Sequence, residues 1–190
     1  MNQNADMPVS KKDAAPVIES AVLGGGCFWC TESVFQSLQG VIRVVPGYSG
    51  GHLDNPTYEQ VCDKSTGHIE VVRIMFDPEV ISYQTILRVF FATHDPTTPD
   101  QQGNDIGPQY ASAIFYQSES QHQTARQVIT EVQAQLDHPV VTHVLPVAKF
   151  WEAEVYHHNY YARNPYQGYC QYVIAPKLDK LRRYYADLLK

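Results

Sequence analysis

Positive charge is scarce in this chain. Lys and Arg total 14 against 20 Asp and Glu, for a formal net charge of −6. A sequence-independent binder of nucleic acid needs a basic surface, so nucleic acid is excluded as a partner. Long apolar runs are also missing: none approaches the ~18 residues of a membrane span. The opening MNQNADMPVSKKDAAPVIES lacks the apolar stretch of a signal peptide, so no membrane partner and a cytoplasmic location are expected. Cysteine is sparse too, with four in 190 residues: Cys27, Cys30, Cys62 and Cys170. In a reducing compartment a close Cys pair is more often catalytic or metal-binding than structural. There is no internal repeat and no low-complexity tract.

What is present is the composition of one ordinary domain, 44% hydrophobic and 18% charged. Such a length can bury a core without disulfide staples. Residues 1–17 are polar and alanine-rich and read as a loose leader, leaving 18–190 as the domain. VIESAVLGG (17–25) reads as a strand entering a glycine turn, and CTESVFQSL (30–38) has a helical period that stops at Gly40. VIRVVPGYSGG reads as a second strand. HIEVVRIMFD alternates and reads as a central strand, and SYQTILRVFFATHD as a helix. PTTPDQQGNDIGPQY is a long polar loop, the kind that is functional or mobile. ASAIFY is a strand. Ser118 and Gln121 form a capping-box signature for a helix running to about Leu136, and VVTHVLPV is a further strand. FWEAEVYHHNYYARN reads as helical, NPYQGYC as irregular, and APKLDKLRRYYADLLK as a closing helix. Neighbouring strands that can pair antiparallel favour an α+β layer of helices on a mixed sheet over a doubly wound fold.

LGGGCFWCT (23–31) carries the chemistry. Cys27 stands where a strand hands over to a helix. There, unpaired N–H groups and the helix dipole favour a thiolate, the nucleophilic form. The glycines bring backbone close to whatever Cys27 attacks. A packed CxxC and half of a zinc site are the plain alternatives, although a second CxxC or a matching His pair would be needed for zinc. A thioredoxin-like dithiol is another, since i, i+3 cysteines can bridge. Phe28 and Trp29 argue for something further: a walled, apolar cup for a methyl or small alkyl group. Adjacent helix residues face different ways, so at least one lines the site.

GGGCFWCTE resembles the signature of the A-type peptide methionine sulfoxide reductases. So do GYSGG (47–51), PTYEQVC (56–62), TGHIEVVRIMFDP (66–78), QGNDIGPQYASAIFY (102–116) and NPYQGYCQYVIAPKLDKLR (164–182), in the family's order. The resemblance implies a single α+β domain with a ferredoxin-like core, a mixed sheet under packed helices, and a long irregular C-terminal segment. It implies thiol-dependent reduction of free and peptide-bound methionine-S-sulfoxide, as in protein repair, with no cofactor and no metal. Cys27 would be the nucleophile and Glu70 the acid. Tyr58 and Tyr110 would hold the sulfoxide oxygen, an oxyanion-type device. Asp105 would fix the substrate's main chain, and Phe28 and Trp29 with the Tyr110 ring would seat the methyl group. A cysteine sulfenic acid would be resolved within the chain, first by Cys170, with Cys30 acting directly or as a relay. Thioredoxin would then reduce the disulfide of a monomer. Many family members carry glycine where this chain has Cys30. Pro108 and Ala111 also depart from the usual threonine and arginine. Cys62 reads as structural, and His68, His94 and His157 receive no catalytic task.

Overall fold

The structure, a computed structural model, describes residues 15–190. Most of the expected leader therefore lies outside the described residues. Strand β1 (Glu19–Gly25) leads into helix α1 (Phe28–Gln36), and the chain returns through β2 (Val41–Ser49). A short helix α2 (Tyr58–Cys62) precedes β3 (Ile69–Phe76), which pairs antiparallel with both β1 and β2. Because β3 lies between them, β1–α1–β2 is a split β-α-β unit. Helix α3 (Tyr83–Ala92) then carries the chain through the hairpin β4 (Gln101–Gln102) and β5 (Asp105–Ile106) to β6 (Ser112–Tyr116). Strand β6 pairs with the other side of β1, so β3–α3–β6 is a second split unit. The resulting strand order β6-β1-β3-β2 is the ferredoxin-like arrangement expected from the resemblance.

Two further strands widen this core. Helix α4 (Glu119–Gln133) leads to β7 (His143–Pro146), parallel to β6 and the source of the mixed sheet. Ser118 caps α4 by accepting the Gln121 N–H, while the Gln121 side chain reaches the Gln117 N–H instead of closing the box on Ser118. Strand β8 (Phe150–Glu152) extends the opposite edge by pairing with β2. This corrects the helical reading of FWEAEVYHHNYYARN. Phe150 and Trp151 suit a pleated surface, and Gly47 on β2 leaves room for the Phe150 ring, which would stand 2.4 Å from a Cβ at that position. Within that stretch only Tyr160–Arg163 is α-helical (α5).

The tail differs from expectation as well. The segment read as irregular is helical from residue 168 and passes through a π-helical turn, Cys170–Ile174, into α6 (Ala175–Tyr184). The wider turn falls where Pro176 supplies no backbone N–H. Helices pack on one face of the sheet, around Leu23, Phe35, Val72, Ile74, Leu87 and Phe90. The other face holds a smaller cluster of Val22, Val71, Ala113 and Phe115. With apolar residues on both faces, β3 is central as read, and it carries Glu70 on the helix side.

Candidate active site

The glycine turn serves the chain's own packing rather than an approach to substrate. A Cβ on Gly24 would stand 2.8 Å from Ile69 and 3.0 Å from the Glu70 carbonyl, and Gly26 takes φ +92° against Gln102. These contacts bring β1 tight against β3 and set Cys27 as the N-cap of α1. The Cys30 N–H donates to the Cys27 carbonyl at 3.1 Å, and the two thiols are close enough for each to shift the other's ionisation. Cys27 is 8% exposed and Cys30 2%.

The expectation that the helix start keeps Cys27 ionised is overturned by burial. Desolvation first, then the hydrogen bond with Cys30 and the nearness of Glu70, hold the Cys27 thiol well above its ordinary value. The Trp29 N–H acts the other way and is the weakest influence. Cys30 moves oppositely: its hydrogen bond to Cys27 foremost, with Lys177 and Tyr169 helping against burial, brings it down to about 7. The two thiols therefore titrate as one pair, in which the Cys30 side is the easier to ionise.

Glu70 comes from β3, opposite Tyr48 of β2. Its side chain is 1% exposed and accepts the Phe28 N–H at 3.4 Å. Burial pushes the carboxyl well above the usual range, opposed by that N–H. A carboxyl in this setting holds its proton, which makes it an acid. Tyr58 opens α2 behind a Thr57–Gln60 capping box. Its N–H donates to Glu154 at 3.0 Å, and the other oxygen of Glu154 accepts the buried Tyr48 hydroxyl at 2.9 Å. Tyr110 ends the 3-10 turn Pro108–Tyr110. Burial raises both the Tyr58 and Tyr110 hydroxyls, with Glu70 adding to it, so they remain donors. Asp105 accepts the Tyr169 hydroxyl at 2.6 Å, and that hydroxyl lies 3.6 Å from the Cys30 sulfur.

The two aromatics part company, as neighbours on a helix must. Phe28 turns inward, 1% exposed, with its ring 5.7 Å from Tyr48 and 4.9 Å from His157. Trp29 is half-buried and held on three sides. Its indole N–H donates to His157 Nδ1 at 2.9 Å, Tyr160 stacks on it at 3.7 Å and 5°, and Tyr169 meets it edge-on at 5.9 Å. His157 is fully buried, and desolvation lowers it to about 4, so the ring is neutral and accepts the indole N–H. The sequence reading missed His157, Glu154, Tyr48, Tyr160 and Tyr169. The aromatic run VYHHNYY was the available signal, and reading it as one helix scattered those rings around a helix instead of gathering them on Trp29.

Cys170 is fully buried in the π-helical turn, so it is not the free-swinging thiol expected of an irregular segment. Burial raises it, and Cys30 is close enough to add to the effect. Cys62, half-buried, hydrogen-bonds to Tyr58 one turn away. Among the described residues no three His, Cys, Asp or Glu side chains gather as metal ligands. Likewise, among those residues no helix is long and apolar enough to cross a membrane.

A family model described as peptide methionine sulfoxide reductase matches residues 19–188. The chain belongs to that family. It is 56% identical over 175 residues to the peptide methionine sulfoxide reductase MsrA of Chromobacterium violaceum, covering 91% of this chain and 99% of the relative. Among solved structures, Mxr1 from Saccharomyces cerevisiae in reduced form superposes with a TM-score of 0.77 at 30% identity, covering 80% of this chain and 89% of that one. Methionine sulfoxide reductase A of Corynebacterium diphtheriae gives 0.76 at 32% identity, covering 83% of this chain and 80% of that one. Family membership makes the chain an oxidoreductase, and its site is assembled around a dithiol and a buried carboxyl.

Proposed function

We propose that this methionine sulfoxide reductase reduces methionine-S-sulfoxide, free and in oxidised proteins, with Cys27 as nucleophile and Glu70 as acid. The observation that carries the reading is a carboxyl buried to 1% exposure and bonded to the Phe28 N–H, beside a buried Cys27–Cys30 pair; burial favours the neutral acid, and Cys30 is brought down to about 7. Cys27 passes its proton to the Cys30 thiolate and attacks the sulfoxide sulfur. Glu70 gives its proton to the sulfoxide oxygen, whose negative charge the Tyr58 and Tyr110 hydroxyls hold. The oxygen, now carrying the Glu70 proton, then transfers from the substrate sulfur to the Cys27 sulfur: the S–O bond and the new bond between the two sulfurs break, an O–S bond to Cys27 forms, and Cys27 is left as a sulfenic acid. The substrate sulfur gains two electrons, the Cys27 sulfur loses two, and methionine leaves. Trp29 seats the methyl group, with Phe28 as the floor beneath it, and Asp105, through Tyr169, frames the far side.

Cys30 then attacks the sulfenic sulfur, water leaves, and a Cys27–Cys30 disulfide forms. Its place one helical turn from Cys27, with its N–H on the Cys27 carbonyl, supports placing it first, ahead of Cys170 in the sequence-distant π-helical turn. Exchange passes the disulfide to Cys170, whose thiol feels the charge of Cys30. A thioredoxin is the proposed reductant; the yeast relative Mxr1 has been solved in complex with Trx2. The test is turnover of the separated S and R epimers of methionine sulfoxide with dithiothreitol. The S epimer should turn over and the R epimer should not, and Cys27→Ser should abolish the reaction. Equal use of both epimers would count against the aromatic and hydroxyl arrangement as the site.

A further inference from the structure

Glu32 ends the GGGCFWCTE signature and has no part in the steps above, yet it is 2% exposed and held by donors from a segment 127 residues away. Its Oε1 accepts the Asn159 N–H at 2.8 Å and the Gln36 side-chain amide at 3.3 Å. The same Gln36 amide donates to the Asn159 side chain at 2.6 Å. Asn159 stands at φ +54°, a left-handed conformation that costs a side-chain-bearing residue and persists only where its surroundings enforce it. Glu32 holds it there: its carboxyl receives the Asn159 N–H at the start of α5 while Gln36 ties the Asn159 side chain to the same group, and α5 is too short at four residues to fix its own orientation. The next side chain, Tyr160, is the ring lying flat on Trp29. Two residues before Asn159, His157 holds the edge of the indole.

We infer that Glu32 is a positioning residue: it latches residues 159–160 so that Tyr160 and His157 clamp Trp29 as the fixed wall of the methyl pocket. The inference rests on the reading that Trp29 contacts substrate, and it deepens that reading by naming what sets the pocket's shape. Burial raises the Glu32 carboxyl, while the Asn159 and Tyr160 N–H groups, His158 and Arg163 oppose that rise. The latch is therefore a buried carboxyl held by the Asn159 N–H and the Gln36 amide rather than a solvated group. Neither Glu32 nor its donors touch the reacting atoms, so losing the latch should weaken substrate binding and leave the chemical step intact.

The chain has two tryptophans, so a Trp151→Phe background isolates the emission of Trp29. In that background Glu32→Ala should shift Trp29 emission to longer wavelength with no substrate present. It should raise KM for methionine-S-sulfoxide about three- to tenfold, the scale of one aromatic contact, with kcat within twofold. Tyr160→Leu removes the stacked ring and keeps the latch, and it should give the same rise in KM even if Glu32→Ala fails to fold. A lower melting temperature in Glu32→Ala with emission and KM unchanged would overturn the inference, as would a wild-type KM in Tyr160→Leu. An emission shift with KM unchanged in both variants would overturn the underlying reading that Trp29 lines the pocket.

Discussion

Replacing Glu70 by Gln should move activity and stability in opposite directions. Gln keeps a carbonyl oxygen for the Phe28 N–H, bonded in the native protein at 3.4 Å, and keeps the shape of a site that is 1% exposed. What it loses is an acidic proton. General acid catalysis contributes roughly 10²–10⁴-fold, so kcat should fall by that factor, about 3–5 kcal/mol of barrier. Stability follows from the raised pKa, whose chief cause is burial. Above the ordinary glutamate value of ~4.3 the unfolded chain has released this proton and the folded chain still holds it. Through that window the native protein therefore loses about 1.4 kcal/mol of stability per pH unit from this group, until its folded pKa is passed. The Gln variant has no such loss, so it should gain on the native protein as pH rises from 5 and keep its lead at pH 7. Urea unfolding of both proteins under reducing conditions, at half-unit steps from pH 5 to 7.5, measures the gap, and turnover with dithiothreitol measures the rate. Parallel stability curves would refute the claim that Glu70 is buried and neutral, and activity within threefold of native would refute its role as acid.

Cys30→Ser should still release one equivalent of methionine, more slowly because the acceptor of the Cys27 proton is gone, and should slow every later round further. After one substrate equivalent, mass spectrometry of the native protein should find Cys27–Cys30 ahead of any Cys170 disulfide. Tyr58→Phe and Tyr110→Phe should each lower kcat by about 10-fold or more, as expected for removal of one donor to a developing oxyanion, with little change in melting temperature; steady-state kinetics and a thermal melt separate the two effects. Gly47→Ala should cost at least about 1–3 kcal/mol, because its Cβ would stand 2.4 Å from the Phe150 ring and 2.5 Å from the Trp151 carbonyl. Denaturant titration should show that loss, and it should leave the KM of the surviving folded protein unchanged.

The strongly patterned parts of the chain were legible in advance. The strand-to-helix handover at Cys27, the central strand carrying Glu70, and helices α3 and α4 follow from local period and capping, which act within a few residues. Legibility ended where distant partners decide. Strand β8 exists because β2 offers it an open edge and, at Gly47, space for the Phe150 ring, and no property of FWEAEVYHHNYYARN alone reveals that edge. The same applies to the site. The motif named Cys27 and Glu70, but the residues that hold Trp29 and Tyr58 come from 154–160, nearly 100 or more positions away in sequence. The ionisation of Cys27 was misjudged for a related reason. A helix start is visible in sequence, whereas the burial that outweighs it depends on packing from α6 and the 157–169 segment.

The central claim is that the Cys27 sulfur takes the oxygen from the substrate. It is tested most directly in a Cys30→Ser, Cys170→Ser double variant, where no second thiol is at hand to resolve the first product. One turnover with methionine-S-sulfoxide in the presence of dimedone should release one equivalent of methionine and place one dimedone adduct on Cys27. Methionine released with Cys27 unmodified, or with the adduct on Cys62, would contradict it.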